Sequence, residues 1–176
     1  TADENGNIVY TIPGNAIKGD IAISLPDAVP QVEVNLYFKA EDANGEARNV
    51  YVVTAKPGAP MAEGRVFAYG GNAMYWSEEY QAYAYLVSTG EALTAETATA
   101  QVTLIDGAKQ TIDYSGDVNM SDKVDLNDAQ LVYDLYNASY YDFSVVSMEK
   151  MLRADVSKDK KIDVSDVTAI VAIVRK

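Results

Sequence analysis

Oxygen-bearing side chains have the spacing of metal ligands in the last third of the chain. Within residues 117–128 they stand at positions 1, 3, 5, 9 and 12 of a twelve-residue segment, as Asp117, Asn119, Ser121, Asp125 and Asp128. This is the ligand spacing of a calcium loop, in which alternate side chains turn inward and the carbonyl of position 7, here Lys123, adds an oxygen. The segment therefore predicts a bound calcium ion.

The same spacing returns 38 residues further along the chain. Residues 155–166 supply the corresponding oxygens, again with a lysine at position 7: Asp155, Ser157, Asp159, Lys161, Asp163 and Asp166. Position 8 is apolar in both segments, as Val124 and Ile162, and is expected to anchor each loop to the core. Solvated surface turns are the alternative interpretation of these carboxylates. Two loops in register, each followed by an apolar helical run, favour two calcium ions.

Composition excludes several classes of function. The chain of 176 residues has no histidine and no cysteine, which removes the commonest general base, thiolate chemistry and the usual zinc ligands. A net charge of −12 and a pI near 4.3 argue against nucleic-acid binding. The sequence contains no run of 18 apolar residues, so it predicts no membrane span. The chain begins without a basic or apolar leader, as expected of a mature protein or a fragment. We expect no enzymatic activity.

Helical patterns follow each loop. The run AQLVYDLYN after Asp128 places apolar residues on one face, and a middle helix is predicted over residues 145–154 with Ser144 as its N-cap. The last helix, predicted from Val167, is apolar on every side through Val174. A helix on the surface of a small domain should have a polar outer face, so this one predicts a partner surface.

Alternating apolar and polar residues predict strands in the first 105 residues. The clearest runs are QVEVNLYFKA, ARNVYVVTA, QAYAYLVST and TATAQVTLI, and weaker ones are NIVYTI, DIAISL and RVFAY. Asn44-Gly45 between two such runs is the best local signal for a hairpin. About seven short strands predict an antiparallel, immunoglobulin-like sandwich. The polar segment 106–115 is too short for a flexible linker, so we expect the two parts of the chain to touch there.

The C-terminal third resembles a dockerin, the calcium-binding module that attaches cellulosomal proteins to cohesin domains. The resemblance covers residues 116–176 and rests on GDVN at residues 116–119, the duplicated ligand series, and aspartate at position 12 of each loop. It implies a multi-domain chain: an all-β, immunoglobulin-like or X-module domain over residues 1–113, then a small all-α dockerin with two loop-helix motifs over 114–176. Position 6, usually glycine, is Asp122 in one loop and Lys160 in the other.

The resemblance also implies a partner and a location. In dockerins, positions 10, 11, 17 and 18 of each repeat face the cohesin, and here these are Leu126, Asn127, Tyr133, Asp134, Val164, Ser165, Val171 and Ala172. The two sets differ in chemistry, which favours one binding orientation over two. The expected partner is a cohesin of a scaffold or anchoring protein, outside the cell or on a bacterial cell surface.

Two other functions remain open at the level of sequence. Tyr75-Trp76 could form a sugar-stacking platform, which would make the β-domain a carbohydrate-binding module with structural calcium loops. Glu78 and Glu79 could be the carboxyl pair of a glycosidase, although packing is the commoner role of aromatic residues in sheets. A calcium-regulated enzyme is disfavoured, because no pair of nucleophile and base can be assembled without histidine or cysteine.

Overall fold

The structure is a computed structural model that describes residues 13–16, 18–19, 29–42, 44–137 and 146–176. A 3-10 helix lies at Gly14–Ala16. The strands are β1 Pro30–Glu41, β2 Ala47–Pro57, β3 Arg65–Tyr69, β4 Asn72–Ala73, β5 Tyr75–Ser77, β6 Ala82–Thr89, β7 Val102–Asp106 and β8 Thr111–Ile112. The α-helices are α1 Ala95–Thr99, α2 Leu126–Tyr136, α3 Met148–Arg153 and α4 Val164–Val174.

The strands form two sheets. One has five strands in the order β1-β2-β6-β5-β8, and the other has three in the order β4-β3-β7. All neighbours are antiparallel except β5 and β8, which run parallel. The strands predicted over QVEVNLYFKA, ARNVYVVTA, RVFAY and QAYAYLVST are confirmed as β1, β2, β3 and β6.

The predicted hairpin joins β1 to β2. Gly45 has a φ of +79°, a left-handed conformation that glycine adopts without steric cost. The Asp42 carboxylate accepts from the backbone N–H of Asn44 at 2.9 Å and of Glu46 at 3.0 Å, which closes the turn. Register shifts between Leu36 and Phe38, where β1 has a bulge.

The five-stranded sheet is buried on both faces. In β6, Ala84 and Leu86 face one core, while Tyr83, the residue before Ala84, faces another. In β2, Val52 and Ala55 divide in the same way. One face packs on the three-stranded sheet and the other on the helices, so the sheet is the middle of three layers.

This layering contradicts the predicted fold class of a separate all-α domain after an all-β, immunoglobulin-like sandwich. A single apolar core joins the sheet to the helices, and its buried members include Phe38, Val52, Val132, Met151 and Ile170. The physical reason is that β2 and β6 are apolar on both faces, so each face must be covered. The predicted boundary between residues 113 and 114 is not tested and stays a prediction.

Of the two helices that follow the loops, α4 begins at Val164, three residues earlier than predicted. The other, α2, begins at Leu126. Each is capped by the aspartate at position 9, Asp125 or Asp163, with a reciprocal capping box to the aspartate at position 12. The middle helix, α3, begins at Met148 with Ser147 as its N-cap. The predicted cap at Ser144 and start at residue 145 lie outside the described residues.

The strand predicted over TATAQVTLI is half wrong. Its first part is α1, because Thr94 and Thr97 form a capping box and alanine favours helix. Alternation resumes only in β7. The weaker strands NIVYTI and DIAISL fall outside the described residues. The polar segment 106–115 contributes strand β8 to the five-stranded sheet.

Within the described part of the chain, no helix is long and apolar enough to cross a membrane.

Candidate metal centre

The two predicted calcium loops share one backbone conformation. Position 4 has a positive φ in both, 60° at Met120 and 66° at Lys158, and position 6 has a φ of 64° at both Asp122 and Lys160. Side chains with a Cβ adopt this region at a cost, which is why position 6 is usually glycine. The same turn is therefore built from two different sequences.

Position 1 of each loop organises the turn that follows it. The Asp117 carboxylate accepts from the backbone N–H of Ser121 at 2.9 Å and of Asp122 at 2.8 Å. The Asp155 carboxylate accepts from the equivalent groups of Asp159 at 3.0 Å and Lys160 at 2.9 Å. The backbone amides of positions 5 and 6 thus point at the same carboxylate in each loop.

Position 12 closes each loop onto its helix. Asp128 accepts from the backbone N–H of Asn119 at 3.0 Å and of Asp125 at 2.9 Å. Asp166 accepts in the same way from the N–H groups of positions 3 and 9, both at 2.9 Å. The two aspartates have no exposed surface. A buried carboxylate needs a compensating charge or several hydrogen bonds. The hydrogen bonds to the two aspartates are arranged in the same way in both loops.

Position 9 is turned towards its helix. The Asp125 carboxylate accepts from the N–H of Asn127 at 2.7 Å. The Asp163 carboxylate accepts from the N–H of Ser165 at 2.7 Å and from its hydroxyl at 2.6 Å, and these hydrogen bonds, the hydroxyl's foremost, lower the pKa of Asp163. In calcium loops position 9 often reaches the ion through a water molecule, which leaves its carboxylate free for capping.

Two observations fit the loops to a cation. The Oδ1 atom of Asn119, the predicted ligand at position 3, is buried without a hydrogen-bond partner. In the second loop, Asp155 and Asp166 are both fully buried. Burial and then the neighbouring Asp166 raise the pKa of Asp155 to about 7, and burial raises that of Asp166. A cation would supply the missing partner and offset the paired negative charge.

The remaining predicted ligands lie around these aspartates without forming an acidic cluster. The Ser121 hydroxyl donates to the Lys123 carbonyl at 3.4 Å, and Ser157 is exposed. Asp159 accepts from the N–H of Lys161 at 3.0 Å. Among the described residues, no three His, Cys, Asp or Glu side chains meet in a group that could hold a metal ion. A site here would depend on amide, hydroxyl and carbonyl oxygens as well, and the ligand set stays a prediction.

The β-sheet contacts the second loop at four places. The Tyr80 hydroxyl donates to Asp155 Oδ2 at position 1. Ion pairs join Lys158 to Glu79 at 3.4 Å and Lys160 to Glu33 at 2.5 Å. At position 8, the Ile162 N–H donates to the Tyr37 carbonyl at 3.2 Å. The second loop is thus held against the sheet along most of its length.

The first loop has a different environment. Its hydrogen bonds, as far as the described residues show, are made within the loop and to the start of α2. Asp117 is half-buried, whereas its counterpart Asp155 has no exposed surface. The two loops are equivalent in backbone and unequal in surroundings.

Sequence reasoning missed the contacts of Tyr80, Glu79 and Glu33 with the second loop. No local pattern signals them, because the residues are separated from the loop by at least 75 positions. Glu78 and Glu79 lie in the turn after β5, and they pair with different lysines: Glu78 with Lys109 at 3.6 Å, Glu79 with Lys158. Each carboxylate thus has a lysine partner of its own.

Trp76 is packed rather than presented. Its ring meets Tyr83 edge-on at 5.1 Å, and the Lys109 ammonium lies 4.1 Å from the ring centre. A sugar-stacking platform needs an open aromatic face. Tyr83 and Lys109 already contact the Trp76 ring, which disfavours this role.

The eight predicted partner-binding residues lie on or beside the exposed sides of α2 and α4. Leu126 and Val164, both at position 10, are 61% and 52% exposed, and Tyr133 is 48% exposed. Val171 is half-buried, and the other four, Asn127, Asp134, Ser165 and Ala172, are exposed. Three further apolar residues on these helices, Tyr136, Ile173 and Val174, are exposed although they are not among the eight.

Comparisons with known proteins add no relative. The chain matches no protein-family model, and neither the curated proteins nor the solved structures contain a match to it.

Proposed function

We propose that this protein is a non-catalytic assembly module of the cellulosome type. In this proposal its two loops bind calcium, and the helices that follow them bind a cohesin, which attaches the parent protein to a scaffold or cell-surface anchor outside the cell. The observation that carries the proposal is the apolar surface next to the loops, where Leu126, Tyr133, Val164, Ile173 and Val174 are each more than a third exposed. Several exposed apolar residues on two helices that pack against each other are candidates for an interaction site.

Calcium acts through structure in this mechanism. An ion that binds the folded loops and not the unfolded chain stabilises the fold by mass action. The aspartates at position 9 cap α2 and α4, and those at position 12 lie in the first turn of each helix. Ordering a loop therefore fixes the start and direction of its helix. The helices pack against each other through fully buried Val132 and Ile170, so both are oriented together.

The interaction surface is chemically asymmetric. Positions 17 and 18 are Tyr133 and Asp134 on α2, but Val171 and Ala172 on α4. Only the first pair offers a hydroxyl and a carboxylate for hydrogen bonds to a partner. This difference favours a single binding orientation, in which apolar burial supplies most of the affinity and polar contacts fix the register.

The decisive experiment is co-migration of the whole chain with a panel of cohesins of different types, in calcium and in chelator. We expect a calcium-dependent complex with at least one cohesin. Val164→Asp should abolish the complex, and Thr103→Asp, which changes another exposed residue on the three-stranded sheet, should leave it intact. Binding to no cohesin, with both loops loaded, would point instead to a self-contained calcium module.

A second experiment tests the orientation. Charged residues placed at Val171 and Ala172 should weaken binding to a different extent from changes at Tyr133 and Asp134. Because a symmetric module would dock in either of two ways, equal losses from the two pairs would contradict a single orientation. The measurement is the dissociation constant of each double variant for the same cohesin.

A further inference from the structure

The turn between β5 and β6 contacts the second loop with two consecutive residues. The Tyr80 hydroxyl donates to Asp155, and Glu79 forms an ion pair with Lys158 at 3.4 Å. The turn is itself fixed, because the Tyr80 N–H donates to the Ser77 hydroxyl at 3.1 Å and Ser77 is fully buried. Tyr80 therefore approaches Asp155 from a rigid part of the sheet.

Two side chains lie against the Tyr80 ring. It packs against the Tyr114 ring with centroids 5.7 Å apart, and the Lys160 ammonium lies 5.4 Å from its centre. The same ammonium pairs with Glu33 of β1 at 2.5 Å. Lys160 occupies position 6 of the loop, which is usually glycine. Its side chain therefore links this position to the sheet.

A second tyrosine from the sheet lies beneath the same loop. Tyr37 is 3% exposed, its carbonyl accepts from Ile162, and its hydroxyl is buried without a hydrogen-bond partner. Burial, and then the charge of Asp155, raise the pKa of Tyr37 well above its ordinary value. A buried hydroxyl without a hydrogen-bond partner is costly.

We propose that the second loop is a composite cation site, in which Tyr80 acts as a positioning residue for Asp155 and makes this loop the tighter of the two calcium sites. The proposal rests on the calcium loading in the proposed function. Asp155 is the first ligand of the loop, and a ligand already held in its binding orientation loses less conformational freedom when the ion binds. The first loop has no such support from the β-region among the described residues, and its Asp117 is held only by hydrogen bonds from within the loop.

The test is calorimetric titration of the calcium-free whole chain with calcium chloride. We expect two classes of site, with the tighter one lost in Asp155→Asn and the weaker one lost in Asp117→Asn. Tyr80→Phe, which removes only the hydroxyl, should weaken the tighter site about tenfold, the usual effect of losing a hydrogen bond to a charged group. The weaker site should keep its affinity and so report that the variant is folded.

Tyr69→Phe is the matched control, because Tyr69 is also ring-packed, against Tyr85 at 5.3 Å, but lies in the three-stranded sheet. It should change neither site. If Tyr80→Phe does not fold, Glu79→Gln removes a neighbouring ion pair between part-exposed side chains and should weaken the same site about twofold.

Three results would overturn the inference alone. The first is an unchanged tighter site in Tyr80→Phe, and the second is loss of the tighter site in Asp117→Asn instead of Asp155→Asn. A fall in both affinities together would also count against it, because that indicates general destabilisation. Absence of any calcium binding in the unaltered chain would overturn the proposed function as well, so the two failures are distinguishable.

Discussion

The backbone N–H of Ile162 donates to the carbonyl oxygen of Tyr37 over 3.2 Å, which attaches the second loop to β1 beside its bulge. Both residues are almost fully buried. A bulge leaves backbone groups outside the regular ladder, and here one such carbonyl accepts from position 8 of the loop. This contact makes the sheet and the loop parts of one structure, and it explains why a feature of the β-region can affect cation binding.

Gly116, just before the first loop, should not tolerate alanine. Its φ is +100°, and a Cβ there would lie 3.1 Å from Ile173 Cδ1 and 3.2 Å from Val124 Cγ1. Gly116→Ala is expected to lower the free energy of unfolding by about 1–3 kcal/mol, from backbone strain and overpacking. Urea unfolding in calcium measures the change. Gly19→Ala, where a Cβ meets nothing within 4 Å, is the control and should change little.

Two isoleucines on α4 should separate stability from partner binding. Ile170 has no exposed surface, so Ile170→Ala should cost about 2–5 kcal/mol in urea unfolding. Ile173 is 38% exposed, and its truncation should cost clearly less while weakening cohesin binding. If Ile173→Ala proved as destabilising as Ile170→Ala and left binding unchanged, the exposed face of α4 would not be an interaction surface.

Glycine at position 6 should affect the two loops unequally. Asp122 and Lys160 share a φ of 64°, so glycine relieves the same backbone strain, worth about 1 kcal/mol, at both places. Asp122→Gly should therefore stabilise the chain. Lys160→Gly should gain less, because it also loses the ion pair with Glu33. Thermal unfolding of both variants in calcium measures the difference, and a larger gain for Lys160→Gly would contradict a contribution from that pair.

The metal-free protein should become less stable as pH rises towards neutrality. Burial and Asp166 raise the folded-state pKa of Asp155 to about 7, above its unfolded value of 3.8. A raised pKa means that the folded state holds the proton more tightly, so stability is fully present below about pH 4 and falls as pH rises through about 7. The loss at pH 8 should be roughly 2–4 kcal/mol.

The measurement is thermal unfolding between pH 5 and pH 8, with and without saturating calcium. The chain has no histidine, so few other groups titrate in this range. Calcium should remove most of the decline, because a cation replaces the proton between the buried carboxylates. Asp155→Asn should flatten the metal-free profile, and a decline that persisted in this variant would show that other groups cause it.

Local patterns predicted much of the secondary structure and the repeat. Alternation identified β1, β2, β3 and β6, and the ligand spacing identified two loops that share φ values and hydrogen bonds at positions 1, 9 and 12. Alternation failed over residues 97–100, where alternating threonine and alanine resembles a strand. There the Thr94 capping box fixes a helix, which a period of two does not reveal.

The number of layers was mispredicted for a related reason. ARNVYVVTA was predicted to be a half-buried strand of a sandwich, yet Val52 and Val53 point to opposite faces of β2 and both are fully buried. A continuous apolar run requires cover on two sides. The helices cover the second face of the sheet. Because they are far from β2 in the sequence, this contact was not predicted, and the C-terminal third was expected to form a separate domain.

The sequence by itself determined the two loops, because ligand spacing, capping aspartates and left-handed positions are encoded within twelve consecutive residues. Only the tertiary structure decided that the loops are unequal. Tyr80 and Asp155 are 75 residues apart, and no local pattern relates them. Their contact exists because the fold brings the β5–β6 turn and the second loop to the same side of one sheet. Burial of apolar surface in the shared core, and not a local preference, places these two residues next to each other.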